Sequence, residues 1–203
     1  MTVKVSPYTI DDIEMLVPIH MSAFKGYMNS SMGKNYVRKF LQWFLTYPNA
    51  ITLKAEMEGQ ICGYVVGAPL NYGSAMNRDL FKTGVIGILT HPGIMIHENF
   101  IKAVKAKFKM LIGKKPAKVT INNPEGNGIS LISIAVSPKF SGNGVGKEIM
   151  KSFEKSAALN MDYMRLSVYD YNTRARAVYE KSGWTPRQQV DKTVYYYKDI
   201  SNS

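Results

Sequence analysis

The segment Leu131–Lys147 constrains this chain most, because an apolar strand pattern runs into a glycine-rich turn that opens a helix pattern. Gly142, Gly144 and Gly146 lack side chains, so a ligand can approach the backbone of the turn closely. The first turn of a helix offers free N–H groups and the positive end of the helix dipole. These features together predict a site for an anionic group such as a pyrophosphate.

Two common pyrophosphate-binding motifs do not match this turn. A mononucleotide P-loop needs Ser or Thr after its Gly-Lys pair and a glycine five residues before the pair, but Glu148 and Ser141 occupy these positions. Gly142, Gly144 and Gly146 are spaced as GxGxG, whereas the dinucleotide fingerprint is GxGxxG and lies in a first βαβ unit. The glycines alone therefore leave open a turn that binds no ligand.

A longer pattern surrounds the turn. A strand ends in Val-x-Pro, the turn follows, and an Asn, an Ala and a Tyr lie on the next helix pattern before a Gly-Trp pair. The residues of this pattern are Val136, Pro138, Gly144, Gly146, Asn172, Ala175, Tyr179, Gly183 and Trp184. In these residues the chain resembles the GNAT family, the acetyl-CoA-dependent N-acetyltransferases. Ser141 departs from the family pattern, which usually has Gln or Arg there, and we expect this to affect the tightness of cofactor binding.

The resemblance implies an α/β fold with a GNAT-like mixed, twisted central sheet, helices on both faces, and one acetyltransferase domain over residues 1–203. Periodicity predicts the order β-α-α-β-β, an insertion, then β-α-β-α-β-β. The insertion, residues 69–128, precedes the strand Ser130–Ser137, which we call the signature strand. The insertion is predicted to be helical over Asp79–Leu89 and Glu98–Leu111. The other predicted strands are Val3–Ser6, Ala50–Glu56, Gln60–Ala68, Ser130–Ser137, Tyr163–Val168, Thr185–Val190 and Val194–Asp199, and the other helices are Asp11–Phe24, Ser31–Tyr47, Gly144–Leu159 and Thr173–Lys181.

The resemblance also implies acetyl-CoA as the co-substrate, without a metal. The backbone of the signature strand would pair with the pantetheine arm, the glycine turn would hold the pyrophosphate, and the thioester would point toward Asn172 and Tyr179. Tyr179 would then assist the departing thiolate with a proton or a hydrogen bond. The implied cofactor-binding residues are Ile134, Ala135, Val136, Ser141, Gly142, Asn143, Gly144, Val145, Gly146, Lys147, Asn172 and Ala175.

The general base is poorly marked in the sequence. GNAT enzymes often carry a Glu on or near the signature strand, whereas Ser130 and Ser133 occupy this region here. Glu125, His91, His97 and Asp170 are available by residue type, but the sequence does not place them. No cluster of Cys and His residues suggests a metal site.

The net charge of +11 is compatible with a nucleic acid, a membrane surface or an anionic small molecule. No helix-turn-helix, RRM or zinc-finger pattern is present, so we expect no nucleic-acid partner. Cys62 is the only cysteine and lies in a strand pattern, which predicts a buried, inert thiol. The first residues lack the apolar core of a signal peptide and no apolar run of eighteen residues occurs, so we expect a cytoplasmic protein without a membrane span.

Much of the positive charge lies on the predicted helix Glu98–Leu111 and just after it. This surface is either a solvated lysine face or a site for an anionic partner. Its residues are Lys102, Lys105, Lys107, Lys109, Lys114, Lys115 and Lys118.

These patterns predict an acetyl-CoA-dependent acetyltransferase that moves an acetyl group to a primary amine by direct transfer in a ternary complex. The acceptor would be a small molecule such as an amino sugar. In the segments Phe24–Tyr27 and Gly33–Tyr36 the chain resembles acetyltransferases that are encoded with bacterial surface-polysaccharide genes. The alternatives are a protein or peptide N-terminal acetyltransferase, and a non-catalytic module that binds acyl-CoA or nucleic acid. A homodimer is compatible with the sequence.

Overall fold

A seven-stranded open sheet forms the centre of the computed structural model, which describes residues 2–96, Ile101 and 121–200. The strand order is β1-β2-β3-β4-β5-β7-β6, and every neighbouring pair is antiparallel except β4 and β5, which are parallel. The strands are β1 (Lys4–Pro7), β2 (Ile51–Met57), β3 (Gln60–Pro69), β4 (Gly128–Val136), β5 (Tyr163–Tyr169), β6 (Thr185–Val190) and β7 (Thr193–Asp199).

Seven α-helices lie within the described residues, on both faces of the sheet, so the expected α/β architecture is confirmed. Short 3-10 segments precede the first helix at Ile10–Asp12, follow the fifth at Pro92–Ile96 and precede the glycine turn at Pro138–Phe140. The helices are α1 (Ile13–Ala23), α2 (Met28–Ser31), α3 (Gly33–Thr46), α4 (Tyr72–Asp79), α5 (Phe81–Thr90), α6 (Val145–Ala157) and α7 (Thr173–Lys181).

Each face of the sheet has its own apolar core. On one face α6 buries Ile149 and Phe153 against β2–β5. On the other face α1 and α3 bury Leu16 and Phe40 against β3 and β4. Strand β3 is covered on both faces, which explains why its sequence is an almost continuous apolar run instead of an alternating one.

Two short helices, α2 and α4, were not predicted from the sequence. The predicted helix Asp79–Leu89 corresponds to α5, and α4 lies before it and ends at Leu80, where φ −91° and ψ 0° interrupt the helical path. Gly73 and Ser74 are weak helix formers, so the pattern concealed α4. The predicted helix Ser31–Tyr47 corresponds to α3, and the four-residue α2 lies just before it, separated from it by Met32 next to Gly33 with its φ of 85°.

The remaining predicted elements agree with the structure to within two residues, apart from the predicted helix Glu98–Leu111. That helix and the lysines assigned to it lie outside the described residues, except Ile101, which is helical. Among the residues that the structure describes, no helix is long and apolar enough to cross a membrane.

The parallel strands β4 and β5 separate halfway along their length. They pair only over Gly128–Leu131 and Tyr163–Leu166. At the point of separation Ile132 forms a bulge against β3, because Val66 pairs with Ser133 while Gly67 pairs with Leu131. A bulge bends a strand and increases its twist, so β4 turns away from β5 here. The edge of residues 132–136 that faces β5 therefore has no strand partner among the described residues.

Candidate active site

Two cavities meet where β4 and β5 separate. The larger, about 870 Å³, lies between the second half of β4, the glycine turn, α6 and α7. The smaller, about 260 Å³, lies between the segment after α1, the middle of β4 and the second half of β5. Both are lined by Ile134, Asn172, Ala175 and Tyr179. A molecule in the larger cavity can therefore meet a molecule in the smaller one beside Tyr179.

The glycine turn is built as an anion cradle. Gly142 and Gly144 have φ of 88° and 77°, the left-handed region that glycine adopts most easily, and a Cβ built on either would meet nothing within 4 Å. The backbone N–H groups of Gly142, Gly144, Val145 and Gly146 form no hydrogen bond within the described residues. All four residues line the larger cavity, at the N-terminus of a thirteen-residue helix. Free donors and the helix dipole fit a pyrophosphate.

All but one of the residues implied for cofactor binding line the larger cavity. Asn143 lies outside the lining, and its N–H donates to the carbonyl of Phe140 at 3.4 Å. The N–H of Lys147 donates to the carbonyl of Gly144 at 3.0 Å, so the free backbone donors are fewer than expected. Contact with acetyl-CoA stays a prediction for the lining residues Ile134, Ala135, Val136, Ser141, Gly142, Gly144, Val145, Gly146, Lys147, Asn172 and Ala175.

Positive side chains around the larger cavity were mostly missed from the sequence. Lys151, Arg174 and Lys181 line it together with Lys147. The carboxylate in the lining, Glu154, is paired with Lys198 at 2.8 Å. Lys151 follows Lys147 by one helical turn, so the period of α6 could have revealed it. The excess of positive charge favours a polyanionic ligand.

Helix α7 holds Tyr179 at the junction of the cavities, and the signature residues fix both ends of this helix. At the N-terminus the Asn172 Oδ1 accepts a hydrogen bond from the Ala175 N–H at 3.2 Å, which is a helix cap. At the C-terminus Gly183 has a φ of 82°, and the Trp184 N–H donates to the Tyr179 carbonyl at 3.0 Å. This is the Schellman arrangement. The spacing from Asn172 to Gly183 and Trp184 in the sequence motif therefore places a cap at each end of α7.

Tyr179 is a neutral hydrogen-bond donor at physiological pH. Burial, with a smaller contribution from Tyr27, raises the pKa of its hydroxyl to about 12. Tyr27 and Tyr169 also line the smaller cavity, so three phenol groups lie around it.

The candidates for a general base are not brought into the site. Glu125, His91 and Asp170 line neither cavity, and His97 lies outside the described residues. Of the two serines on the signature strand, Ser133 lines the smaller cavity and Ser130 does not. The described residues contain no group of three or more His, Cys, Asp or Glu side chains that could hold a metal.

Ser133 is linked to two residues that sequence reasoning did not single out. Its Oγ lies 2.8 Å from the hydroxyl of Tyr64 on β3, and that hydroxyl lies 2.5 Å from Nδ1 of His20 on α1. The three residues are far apart in the sequence, so no local pattern could have joined them. Cys62, on the same strand as Tyr64, is buried, and burial raises the pKa of its thiol.

Comparison with known proteins agrees with this geometry. The model of the Acetyltransferase (GNAT) family matches residues 115–184. A search of curated protein sequences found no match. A PaiA N-acetyltransferase from Thermoplasma acidophilum, solved in complex with coenzyme A, is 13% identical with a TM-score of 0.62 over 98% of this chain and 99% of that one.

Two further solved structures cover the whole length. An N-acetyltransferase from Staphylococcus aureus Mu50 is 10% identical with a TM-score of 0.61, over 99% of this chain and 100% of that chain. The ribosomal-protein-S18-alanine N-acetyltransferase from Escherichia coli is 11% identical with a TM-score of 0.57, over 100% of this chain and 96% of that chain. At such identities a structural likeness speaks for the fold. The chain therefore has the GNAT acetyltransferase fold, and its residues 115–184 match the sequence model of that family.

Proposed function

We propose that the protein is an acetyl-CoA-dependent N-acetyltransferase, which moves an acetyl group to a primary amine of a small acceptor by direct transfer in a ternary complex. The observation that carries the proposal is the pair of cavities that meet at Tyr179. One cavity has the free N–H donors and cations that suit a pyrophosphate ligand. The other provides separate space for an acceptor.

The residues of the larger cavity can bind and orient acetyl-CoA. The unpaired edge of residues 132–136 can hydrogen-bond to an extended ligand as an added strand would. Two substrates held at the correct distance and angle react faster by up to the equivalent of roughly 7–11 kcal/mol of barrier. Orientation of the two substrates is therefore proposed to supply much of the rate.

Tyr179 is proposed to stabilise the departing thiolate by a hydrogen bond. Its pKa of about 12 lies above the value of about 8.5 that is usual for a thiol, so the proton stays mainly on the phenol oxygen. A hydrogen bond to an ionised partner is still stronger than a neutral one. The amine must attack in its neutral form, and a base or a chain of water molecules must take its proton.

The acceptor is proposed to be a small amine, with an amino sugar as the first candidate. The smaller cavity has a volume of about 260 Å³, which suits one small ring better than a folded protein surface. Its lining combines aromatic rings, Phe24, Tyr27 and Tyr169, with the hydroxyls of Ser133 and Thr193. Rings and hydroxyls together suit a polyhydroxylated ring that carries an amine.

An amine panel tests the proposal. The purified protein is incubated with acetyl-CoA and, separately, glucosamine, spermidine and trialanine, and the release of free thiol and the mass of each product are measured. Acetylation of glucosamine or spermidine with a mass gain of one acetyl group supports the proposal, and preference for trialanine points instead to a peptide acetyltransferase. Calorimetric binding of acetyl-CoA with no acetylation of any amine would leave a non-catalytic acyl-CoA-binding module.

A further inference from the structure

A chain of three buried polar side chains leads from the smaller cavity into the core between the sheet and α1. Ser133 lines the cavity, Tyr64 lies behind it and His20 ends the chain. Their exposed fractions are 5%, 0% and 2% respectively. Buried polar groups cost free energy unless they are paired, and two hydrogen bonds join these three side chains. The pairing of all three suggests a role at the cavity end.

His20 is a neutral hydrogen-bonding group in this chain. The rings of Phe24 and Phe40 lie 4.7 and 5.6 Å from the imidazole ring, and burial lowers the pKa of His20 to about 4. At pH 7 the ring therefore has one N–H and one acceptor nitrogen. Its Nδ1 contacts Tyr64, whereas its Nε2 has no hydrogen-bond partner within the described residues.

Acid strength sets the direction of the hydrogen bonds. A phenol is a stronger acid than the N–H of a neutral imidazole, and an imidazole nitrogen is a stronger base than a phenol oxygen. Tyr64 therefore donates its proton to Nδ1 of His20, across the 2.5 Å contact. The oxygen of Tyr64 then accepts the proton of the Ser133 hydroxyl, across 2.8 Å. The lone pairs of the Ser133 Oγ are left for a partner in the cavity.

We propose that Ser133 binds the attacking amine of the acceptor, by accepting a hydrogen bond from an N–H of that amine, and that Tyr64 and His20 are positioning residues for this contact. The proposal rests on the N-acetyltransferase function proposed above. An amine that donates a proton to Ser133 keeps its nitrogen lone pair free for the thioester carbon. A hydroxyl that pointed its own proton into the cavity would occupy that lone pair.

The chain orients the amine and is not the route by which the amine loses its proton. Transfer along it would leave a charged imidazolium between the rings of Phe24 and Phe40, where burial opposes the charge. No bond is formed or broken in the chain, and the expected effect is on binding of the amine more than on turnover.

Kinetics with the panel amine that has the highest turnover test this contact. Ser133→Ala is expected to raise the KM of the amine roughly 2- to 10-fold, which is the effect of one neutral hydrogen bond, with an unchanged Kd for acetyl-CoA. Tyr64→Phe is also expected to raise the KM of the amine. The KM of the double variant should not exceed that of Ser133→Ala alone, because the two substitutions remove the same contact.

Two controls separate this role from a structural one. Ser130→Ala makes the same substitution on the same strand, at a buried serine that lines neither cavity, and should leave the KM of the amine unchanged. His20→Asn offers Tyr64 a side-chain oxygen near the position of Nδ1 and should retain the KM of the parent for the amine. His20→Leu offers no such oxygen and should raise that KM as Tyr64→Phe does. A structural role alone would affect both His20 variants alike.

A measurement without turnover decides the direction of the chain. Nitrogen-15 spectra of the histidine rings at pH 7 should show the His20 proton on Nε2, and Tyr64→Phe should shift the Nδ1 resonance. A proton on Nδ1 overturns the proposal, as does an unchanged KM in folded Ser133→Ala. If the parent acetylates no amine, the proposed function fails instead, and calorimetric titration of the three panel amines into parent and Ser133→Ala then decides whether Ser133 binds an amine.

Discussion

Single residues divide the candidate site into a binding part and a chemical part. Gly144 belongs to the turn whose free N–H groups suit a pyrophosphate, and Tyr179 lies where the two cavities meet. The turn needs the absence of a side chain, whereas the junction needs one specific hydroxyl. Changes at the two residues should therefore affect different measured constants.

Gly144→Asp is expected to raise the Kd for acetyl-CoA at least ~10-fold. A carboxylate beside the pyrophosphate adds repulsion of about 1–4 kcal/mol for charges 4 Å apart near a protein surface. The positive φ adds strain of about 1–2 kcal/mol to the fold. Gly59→Asp is the matched control, since Gly59 has a φ of 73° and open space around it, but lies in the β2–β3 turn. Calorimetry that shows equal Kd values for folded Gly144→Asp and the parent would contradict the cradle.

Tyr179→Phe is expected to lower kcat roughly 10- to 100-fold, which is the loss of one hydrogen bond to an ionised group. The ring and its packing remain, so the Kd for acetyl-CoA should stay near that of the parent. Because burial raises the pKa of Tyr179 to about 12, its ionisation should not appear in the kcat profile between pH 7 and 10. Turnover equal to the parent across that range would make Tyr179 a packing residue only.

Among the elements, α7 and α1 show how local and distant constraints combine. The caps of α7 are local, since residues from Asn172 to Trp184 are close in sequence and hold Tyr179 in place. Helix α1 brings His20 against β3 through packing alone. Helix α4 was not predicted because Gly73 and Ser74 are weak helix formers, whereas α5 after Leu80 was predicted to within two residues.

Burial of His20 on α1 should make stability depend on pH. Its pKa is lowered from 6.5 to about 4, so the unfolded chain binds a proton that the folded chain does not bind in this range. Folding is therefore destabilised as pH falls from about 6.5 to 4, by up to roughly 3 kcal/mol. Urea unfolding at pH 7 and at pH 4.5 measures the loss, and His20→Asn should reduce it. Parallel losses in the parent and His20→Asn would show that other groups cause the dependence.

At the scale of the whole molecule, the net charge of +11 includes two groups of positive side chains, one around the larger cavity and one in the insertion. The described cations of the larger cavity are Lys147, Lys151, Arg174 and Lys181. The lysines predicted for the helix Glu98–Leu111 belong to the insertion, outside the described residues. Long insertions in compact domains are usually functional, so we predict that this segment shapes the acceptor pocket, although its described residues line neither cavity.

The triple change Lys102→Gln, Lys105→Gln and Lys109→Gln is expected to leave the Kd for acetyl-CoA near that of the parent. If the acceptor is anionic, its KM should rise and the salt dependence of turnover should become weaker. The matched control is Lys147→Gln with Lys151→Gln, which removes two charges from the larger cavity and should raise the Kd for acetyl-CoA. If the triple variant lost affinity for acetyl-CoA and kept the acceptor kinetics of the parent, these lysines would belong to the cofactor site instead of the acceptor pocket.

The sequence by itself determined the elements and the cofactor end of the candidate site. Strand and helix periods, the left-handed glycines of the turn and the caps of α7 depend on residues that are neighbours in the chain. The spacing from Val136 to Trp184 therefore predicted the fold and much of the lining of the larger cavity, but Asn143 lies outside that lining and Lys151, Arg174 and Lys181 were missed.

Only the tertiary structure decided the smaller cavity, where we propose that the acceptor binds. The bulge at Ile132 and the separation of β4 from β5 arise from pairing between strands that are distant in sequence. His20, Tyr64 and Ser133 come together because α1 packs on β3 and β3 pairs with β4. The lowered pKa of His20 and the raised pKa of Tyr64 depend on burial, which a pattern of neighbours along the chain does not encode. Local sequence sets backbone conformation, whereas solvation and long-range contacts exist only after the layers have packed.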